Sequence, residues 1–136
     1  MSESSKHLEL ISRILIYIHT KYGNQVAVFH DLPARIGSDK PPKIGPFRPD
    51  VYAVDAPPRI VVVGEAKVQQ DLETQHSRGQ IRAFLEFLRT QSQAEFVLAV
   101  PWQARARGRN ILKTIAAEVD ATRVNLVVID DVEAPL

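Results

Sequence analysis

Asp50 and the triplet Glu65-Ala66-Lys67 are the residues of this 136-residue chain whose types and spacing could do chemistry. They lie within Phe-Arg-Pro-Asp-Val-Tyr-Ala-Val-Asp-Ala-Pro-Pro-Arg-Ile-Val-Val-Val-Gly-Glu-Ala-Lys, residues 47–67. Val51 to Val54 and Ile60 to Val63 are β-rich runs on either side of a Pro57-Pro58 turn signal, so the segment predicts a hairpin. Side chains alternate along a strand, which sets Glu65 and Lys67 on one face and Ala66 on the other. Asp50, at the start of the partner strand, falls beside that pair. Two carboxylates at a strand end can hold a hard cation such as Mg²⁺ or Mn²⁺, which polarises a phosphodiester and activates a water. A lysine beside them positions or deprotonates that water, or offsets charge on the phosphorane-like transition state.

The elements that must position these residues follow from periodicity and punctuation. Residues 4–22 predict a helix with Leu8, Leu10, Ile11, Ile14, Leu15 and Ile18 on a broad apolar face, ended by Gly23-Asn24. Val26 to His30 predicts a short strand. Leu32 to Phe47, rich in Pro, Gly, Lys and Asp, reads as an irregular, mobile loop of a length that is often functional. The two hairpin strands come next, then a helix over Leu72–Thr90, a strand over Glu95–Val100, a helix over Ala104–Val119 and a last strand over Val124–Ile129. No internal repeat or low-complexity segment interrupts this order.

Pro49-Asp50 with Glu65-Ala66-Lys67 resembles the signature of the PD-(D/E)xK, restriction-endonuclease-like nuclease superfamily. The Asp opens one strand and the triplet closes the next after an apolar run, and the resemblance covers roughly residues 3 to 100. It implies an α/β fold: an αβββαβ core with a central mixed β-sheet flanked by helices, here carrying an additional C-terminal αβ unit, all within one domain, 1–136. It further implies that Asp50 and Glu65 ligate Mg²⁺ or Mn²⁺ with the backbone carbonyl of Ala66 as a third ligand, and that Lys67 acts on the attacking water. Gln80, one turn before Phe84, resembles the family's Gln-x-x-x-aromatic motif, whose glutamine orients the lysine, a water or a phosphate. Read from the helix alone, Gln80 borders a buried face of Ile81, Phe84, Leu85 and Leu88, and a backbone hydrogen bond at that boundary is the competing role. The family's first helix often adds an acidic residue. Glu9 points away from the apolar face, whereas Glu3 and His7, one turn apart, share the face that packs toward the sheet. A helix-start charge for Glu3 and a partly buried polar role for His7 are the plainer assignments.

Two further segments suit nucleic acid. Pro101-Trp102-Gln103-Ala104-Arg105-Ala106-Arg107-Gly108-Arg109 puts three arginines near a helix start, where cations oppose the dipole and an anion would compensate. Phosphate contact with Trp102 stacked on a base is one outcome; arginines in solvent, paired with Glu118 or Asp120, are the other. The loop Lys40 to Arg48 delivers Lys43 and Arg48 to the edge of the carboxylate pair. Arg78, Arg82 and Arg89 form a solvated helix flank.

Composition bounds the rest. A chain of this length can bury a core without staples, and it contains no cysteine, which excludes disulfides and thiolate metal sites and fits a reducing, cytoplasmic setting. No stretch is long and apolar enough to span a membrane and no signal-peptide pattern opens the chain. A net charge of +1 restricts nucleic-acid binding to local patches. Walker and dinucleotide motifs are absent, and His7, His19, His30 and His76 lack zinc-site spacing. The reading is a divalent-metal-dependent nuclease, endo or exo, acting on nucleic acid and on DNA by family frequency. A non-catalytic nucleic-acid-binding or assembly module on the same fold is the rival, and an unrelated α/β domain a third reading. Retention of buried like charges favours the enzyme. The sequence leaves DNA versus RNA and a homodimer open.

Overall fold

The computed structural model describes residues 4–32 and 39–132 of the chain. Helix α1 spans Ser5–Tyr22 and starts where the Ser4 hydroxyl accepts the His7 N–H, the usual way a short side chain satisfies a helix's free donors. It ends at Gly23, whose φ of 56° is a backbone region that glycine enters without penalty. Strands β1 (Ala27–His30), β2 (Val51–Val54) and β3 (Ile60–Ala66) follow, then α2 (Gln75–Leu88), β4 (Gln93–Val100), α3 (Arg105–Glu118) and β5 (Asn125–Asp130). Short 3₁₀ turns cover Gly23–Gln25 and Trp102–Ala104.

The strands form one sheet in sequence order, β1-β2-β3-β4-β5. β1, β2 and β3 pair antiparallel, whereas β3, β4 and β5 run parallel. The sheet is therefore mixed, and the αβββαβ order with a further αβ unit is the expected one. Its two faces carry separate cores. On one face α1 lays Leu10, Ile11, Ile14 and Ile18 against Val62, Ala66, Val97 and Ala99. On the other, α2 and α3 cover Val61, Val63, Phe96 and Leu98 with Ile81, Phe84, Leu85, Ile111 and Ile115. β3 and β4 are apolar on both faces because both are covered, the pattern of parallel central strands.

Gly64 fixes how closely α1 sits on β3. A Cβ at this position would lie 2.7 Å from Ile14 Cγ2 and 3.3 Å from Val51 Cβ, so only a glycine admits the helix at this depth. No helix among the described residues is long and apolar enough to cross a membrane.

Several boundaries differ from the sequence reading. α2 begins at Gln75 rather than Leu72, because Val68–Thr74 forms consecutive turns and the Thr74 hydroxyl caps the Ser77 N–H. Leu72, fully buried, supplied an apolar signal that continues the helix pattern without being part of it. β4 starts two residues earlier, at Gln93, whose N–H donates to Arg59 O. Residues 33–38 of the loop expected to be mobile lie outside the described residues, but its second half is built. Ile44 is buried and bridges Phe47, and Gly45 takes φ 60° at the turn between them.

Candidate functional site

The β2–β3 register brings the two carboxylates together. Val51 pairs with Gly64; one residue further along, Asp50 stands opposite Glu65. Each then grips the other's strand. The Asp50 N–H donates to Glu65 Oε1 at 2.9 Å, and the Ala66 N–H donates to Asp50 Oδ2 at 2.9 Å. These are charge-assisted bonds from fixed backbone donors, which set side-chain orientation more firmly than a solvated carboxylate could.

Strand alternation carries Glu65 and Lys67 to the α2 face, while Ala66 turns into the α1-side core. Lys67 Nζ lies 3.4 Å from Glu65 Oε2 and donates to Gln80 Oε1 on α2. Its own N–H donates to Ala99 O at 3.0 Å, pinning the lysine backbone to β4. Gln80 thus accepts from the lysine, and no backbone partner for its side chain is seen among the described residues. His7, near the start of α1, brings Nε2 to 3.4 Å from Asp50 Oδ2. Glu3 lies outside the described residues, and Glu9 is exposed beside Lys6.

The electrostatics follow from burial. Glu65 is 2% exposed, and its carboxyl is pushed well above the ordinary carboxylate range. Desolvation is the main cause and the Asp50 charge adds to it; Lys67 and the Asp50 N–H oppose them. With both acids ionised, Asp50, Glu65 and Lys67 sum to one negative charge. Hard oxygen donors with surplus negative charge fit a divalent cation of the Mg²⁺ type. Among the described residues no group of three or more His, Asp and Glu side chains is arranged to hold an ion. Two carboxylates completed by backbone oxygen and water is a donor set that Mg²⁺ accepts, since it usually keeps several waters.

The preceding loop is folded against α2. Phe47 meets His76 edge-on at 5.7 Å and Phe84 at 6.3 Å. Arg48 is exposed, with Nη1 donating to Pro41 O at 2.5 Å, and Lys43 is exposed. Both sit on the segment that leads into Asp50.

The arginine segment is differently engaged. Arg105 pairs with Asp130 at 2.7 Å and Arg107 with Glu73 at 2.8 Å. The expected carboxylates do not take part: Glu118 pairs with Arg82 at 2.5 Å instead. The anions that offset the α3 start are thus side chains of β5 and of the turn before α2. Arg109 is exposed with no ion-pair partner among the described residues. Trp102 is 56% exposed, and its N–H donates to Asp131 Oδ1 at 2.9 Å.

Asp131 is a positioning residue that sequence reading did not single out. Besides holding Trp102, it meets Lys6 Nζ at 2.8 Å, and its carbonyl accepts from Arg13 Nη2 at 3.2 Å. Glu95 is a second. Buried at the other end of β4, it accepts from Tyr17 Oη (2.6 Å), Tyr22 Oη (2.5 Å), Lys21 Nζ (2.8 Å) and Asn125 Nδ2 (2.9 Å). A glutamate preceding Phe-Val-Leu-Ala-Val was the available signal, because a carboxylate in a buried strand must find partners.

No protein-family model matches the chain, and no curated protein matches it. Among solved structures, Pyrococcus furiosus SfsA in complex with Ca²⁺ is similar at 13% identity and a TM-score of 0.48. The match covers 89% of this chain and 53% of that one, so this chain spans about half the length of that protein.

Proposed function

We propose that the chain is a divalent-cation-dependent nuclease of the PD-(D/E)xK type that hydrolyses phosphodiester bonds in DNA. The observation that supports it best is the cross-latched pair. Asp50 and Glu65 accept from each other's strands, with the Lys67 ammonium held between Glu65 and Gln80 on the same edge. A structural ion pair needs one acid and one base. A second acid beside them, the part-buried Asp50 with only His7 Nε2 at 3.4 Å as a neighbouring base among the described residues, adds repulsion that a bound cation would offset.

In this reading Asp50 and Glu65, with the Ala66 carbonyl, hold Mg²⁺ or Mn²⁺. When bound, the ion supplies Lewis-acid polarisation of the phosphate and a more acidic water. The protein's own groups do the rest. The backbone bonds from Asp50 and Ala66 fix the carboxylates before substrate arrives, so little reorganisation is needed during reaction. Lys67 has three ammonium donors; with Glu65 and Gln80 restraining it, the remaining donor capacity is directed to the attacking water or a phosphate oxygen. Gln80 accepts from Lys67, and so sets the ammonium's direction rather than its charge. His7 bears on Asp50 from the α1 side and restricts its rotation.

The test is Mn²⁺-dependent nicking of supercoiled plasmid and cutting of single-stranded and branched DNA, with chelator and RNA as controls. Wild type is expected to cut DNA, and Lys67→Ala to bind the ion but lose cutting. Wild type that cuts none of these substrates would return the chain to a non-catalytic binding module, and an unimpaired Lys67→Ala would remove the lysine's role.

A further inference from the structure

The chain that leaves β4 beyond the carboxylate edge carries an exposed aromatic, Trp102. Lys67 is bonded through its N–H to Ala99 on β4, and Trp102 follows Ala99 by three residues. Adjacent strands stand about 5 Å apart and three residues reach at most roughly 10 Å. The Trp102 backbone therefore lies within roughly 15 Å of the Lys67 backbone, a span that a few nucleotides of a single strand can cover.

Trp102 is held rather than dangling. Pro101 before it and Ala104 after it are buried. Its N–H is bonded to Asp131, and its carbonyl accepts the Arg105 N–H within the 3₁₀ turn. Yet the residue is 56% exposed. A large aromatic on a fixed backbone and open to solvent offers a flat ligand a surface whose main chain needs no ordering on binding.

We infer that Trp102 is a stacking platform for an unpaired nucleobase, so that the substrate class is single-stranded DNA, as a free strand or the unpaired arm of a branched molecule. The inference rests on the nuclease reading for its choice of ligand. Within duplex DNA both faces of a base are occupied by its neighbours, and a protein ring can stack only where a base is unpaired or displaced. Most of the nearby cations are already paired. Arg105 and Arg107 are committed to Asp130 and Glu73, which leaves Arg109 as the cation of this segment without a carboxylate partner among the described residues. Affinity at this edge therefore draws more on stacking than on a phosphate-clamping arginine cluster.

Trp102 is the chain's only tryptophan, so its emission reports the contact directly. The experiment titrates wild type in EDTA with a fluorescently labelled oligodeoxythymidine and with a blunt duplex of equal length, following label anisotropy and Trp102 emission together. Quenching is expected to accompany binding of the single strand and not of the duplex. Trp102→Ala should weaken single-strand binding by about 5- to 150-fold, the range for one stacked base. It should leave the slope of log affinity against log salt unchanged, because no phosphate contact is lost. Trp102→Phe should recover most of the affinity. Unquenched emission at saturating single strand, equal quenching by duplex, affinity in Trp102→Ala within twofold of wild type, or no single-strand binding at all would each overturn the platform. The two readings separate in Mn²⁺. Cutting without quenching retires Trp102 alone, whereas quenching without cutting retires the nuclease and leaves the stacking surface standing.

Discussion

Replacing Gly64 by alanine probes the seat of α1 on β3, and through it the carboxylate edge. Alanine is ordinarily the better strand residue by about 0.5–1 kcal/mol, so an unobstructed site would gain stability. Here the added methyl would sit 2.7 Å from Ile14 Cγ2 and 3.4 Å from its Cδ1, with Val51 Cβ at 3.3 Å. Carbon pairs rest at about 3.5–4.0 Å, so the first overlap approaches 1 Å. Ile14 cannot easily yield, since a β-branched side chain on a helix has one strongly preferred rotamer, and Val51 belongs to the neighbouring strand. Overpacking of this kind costs about 1–3 kcal/mol. Placing this case in the upper half and subtracting the strand preference leaves a net loss of about 1–2 kcal/mol. Urea unfolding monitored by circular dichroism measures it. Ile14→Ala, itself costing about 2–5 kcal/mol, removes both clashing atoms. In that background only the 3.3 Å approach to Val51 Cβ remains, and the loss from Gly64→Ala should shrink toward zero, a coupling within the range of about 0.5–3 kcal/mol for residues in contact. α1 also carries His7 to Asp50, so lifting the helix should reduce cutting at temperatures where the variant is fully folded. A Gly64→Ala protein as stable as wild type, or one whose loss is the same with and without Ile14, would refute the reasoning.

Two further outcomes are expected. Mn²⁺ at a hundredfold excess over its Kd should add about 2.7 kcal/mol of stability, read as a rise in melting temperature that Asp50→Asn largely abolishes; no rise in wild type would count against an ion at this pair. Glu95→Ala should cost about 2–4 kcal/mol at neutral pH by stranding the hydroxyls of Tyr17 and Tyr22. Burial opposes the Glu95 charge, but the Lys21, Tyr17 and Tyr22 hydrogen bonds outweigh it and hold the carboxyl below its ordinary value of 4.5. Its stabilisation is therefore complete above that value and fades as pH falls through the folded one. The urea-stability gap between wild type and variant should narrow at acid pH, and a gap independent of pH would remove the carboxylate charge from the account.

The parts of the fold that were legible in the sequence are those set by short-range periodicity. The α1 and α2 core faces follow from 3.6-residue spacing, and the placement of Glu65 and Lys67 opposite Ala66 from strand alternation. Asp50 could be set beside them because a hairpin keeps its register local. What lay beyond reach depends on where elements land in space. Nothing in the spacing of His7 says that α1 crosses the sheet with its first turn at Asp50. Nothing near Arg105 or Arg107 names Asp130 or Glu73, which are 25 and 34 residues away along the chain. Leu72 misled for a local reason: an apolar residue in helical phase was buried by a turn, and Thr74, with no acid three residues later to complete a capping box, gave only a weak start signal.

Asp131 gathers Lys6, Arg13 and the Trp102 amide, segments from opposite ends of the chain, and this bears on how divisible the protein is. On a topology diagram the last αβ unit is an appendage that could be trimmed to leave a minimal core. In three dimensions it is the mooring for the first turns of α1 and for the turn beyond β4. A chain shortened before residue 131 would retain Asp50, Glu65, Lys67 and Gln80 in full. It would also free the start of the helix that carries His7 and the backbone that holds the indole. Modularity read from element order is therefore a poor guide to this molecule, because the piece that looks dispensable ties its two ends together.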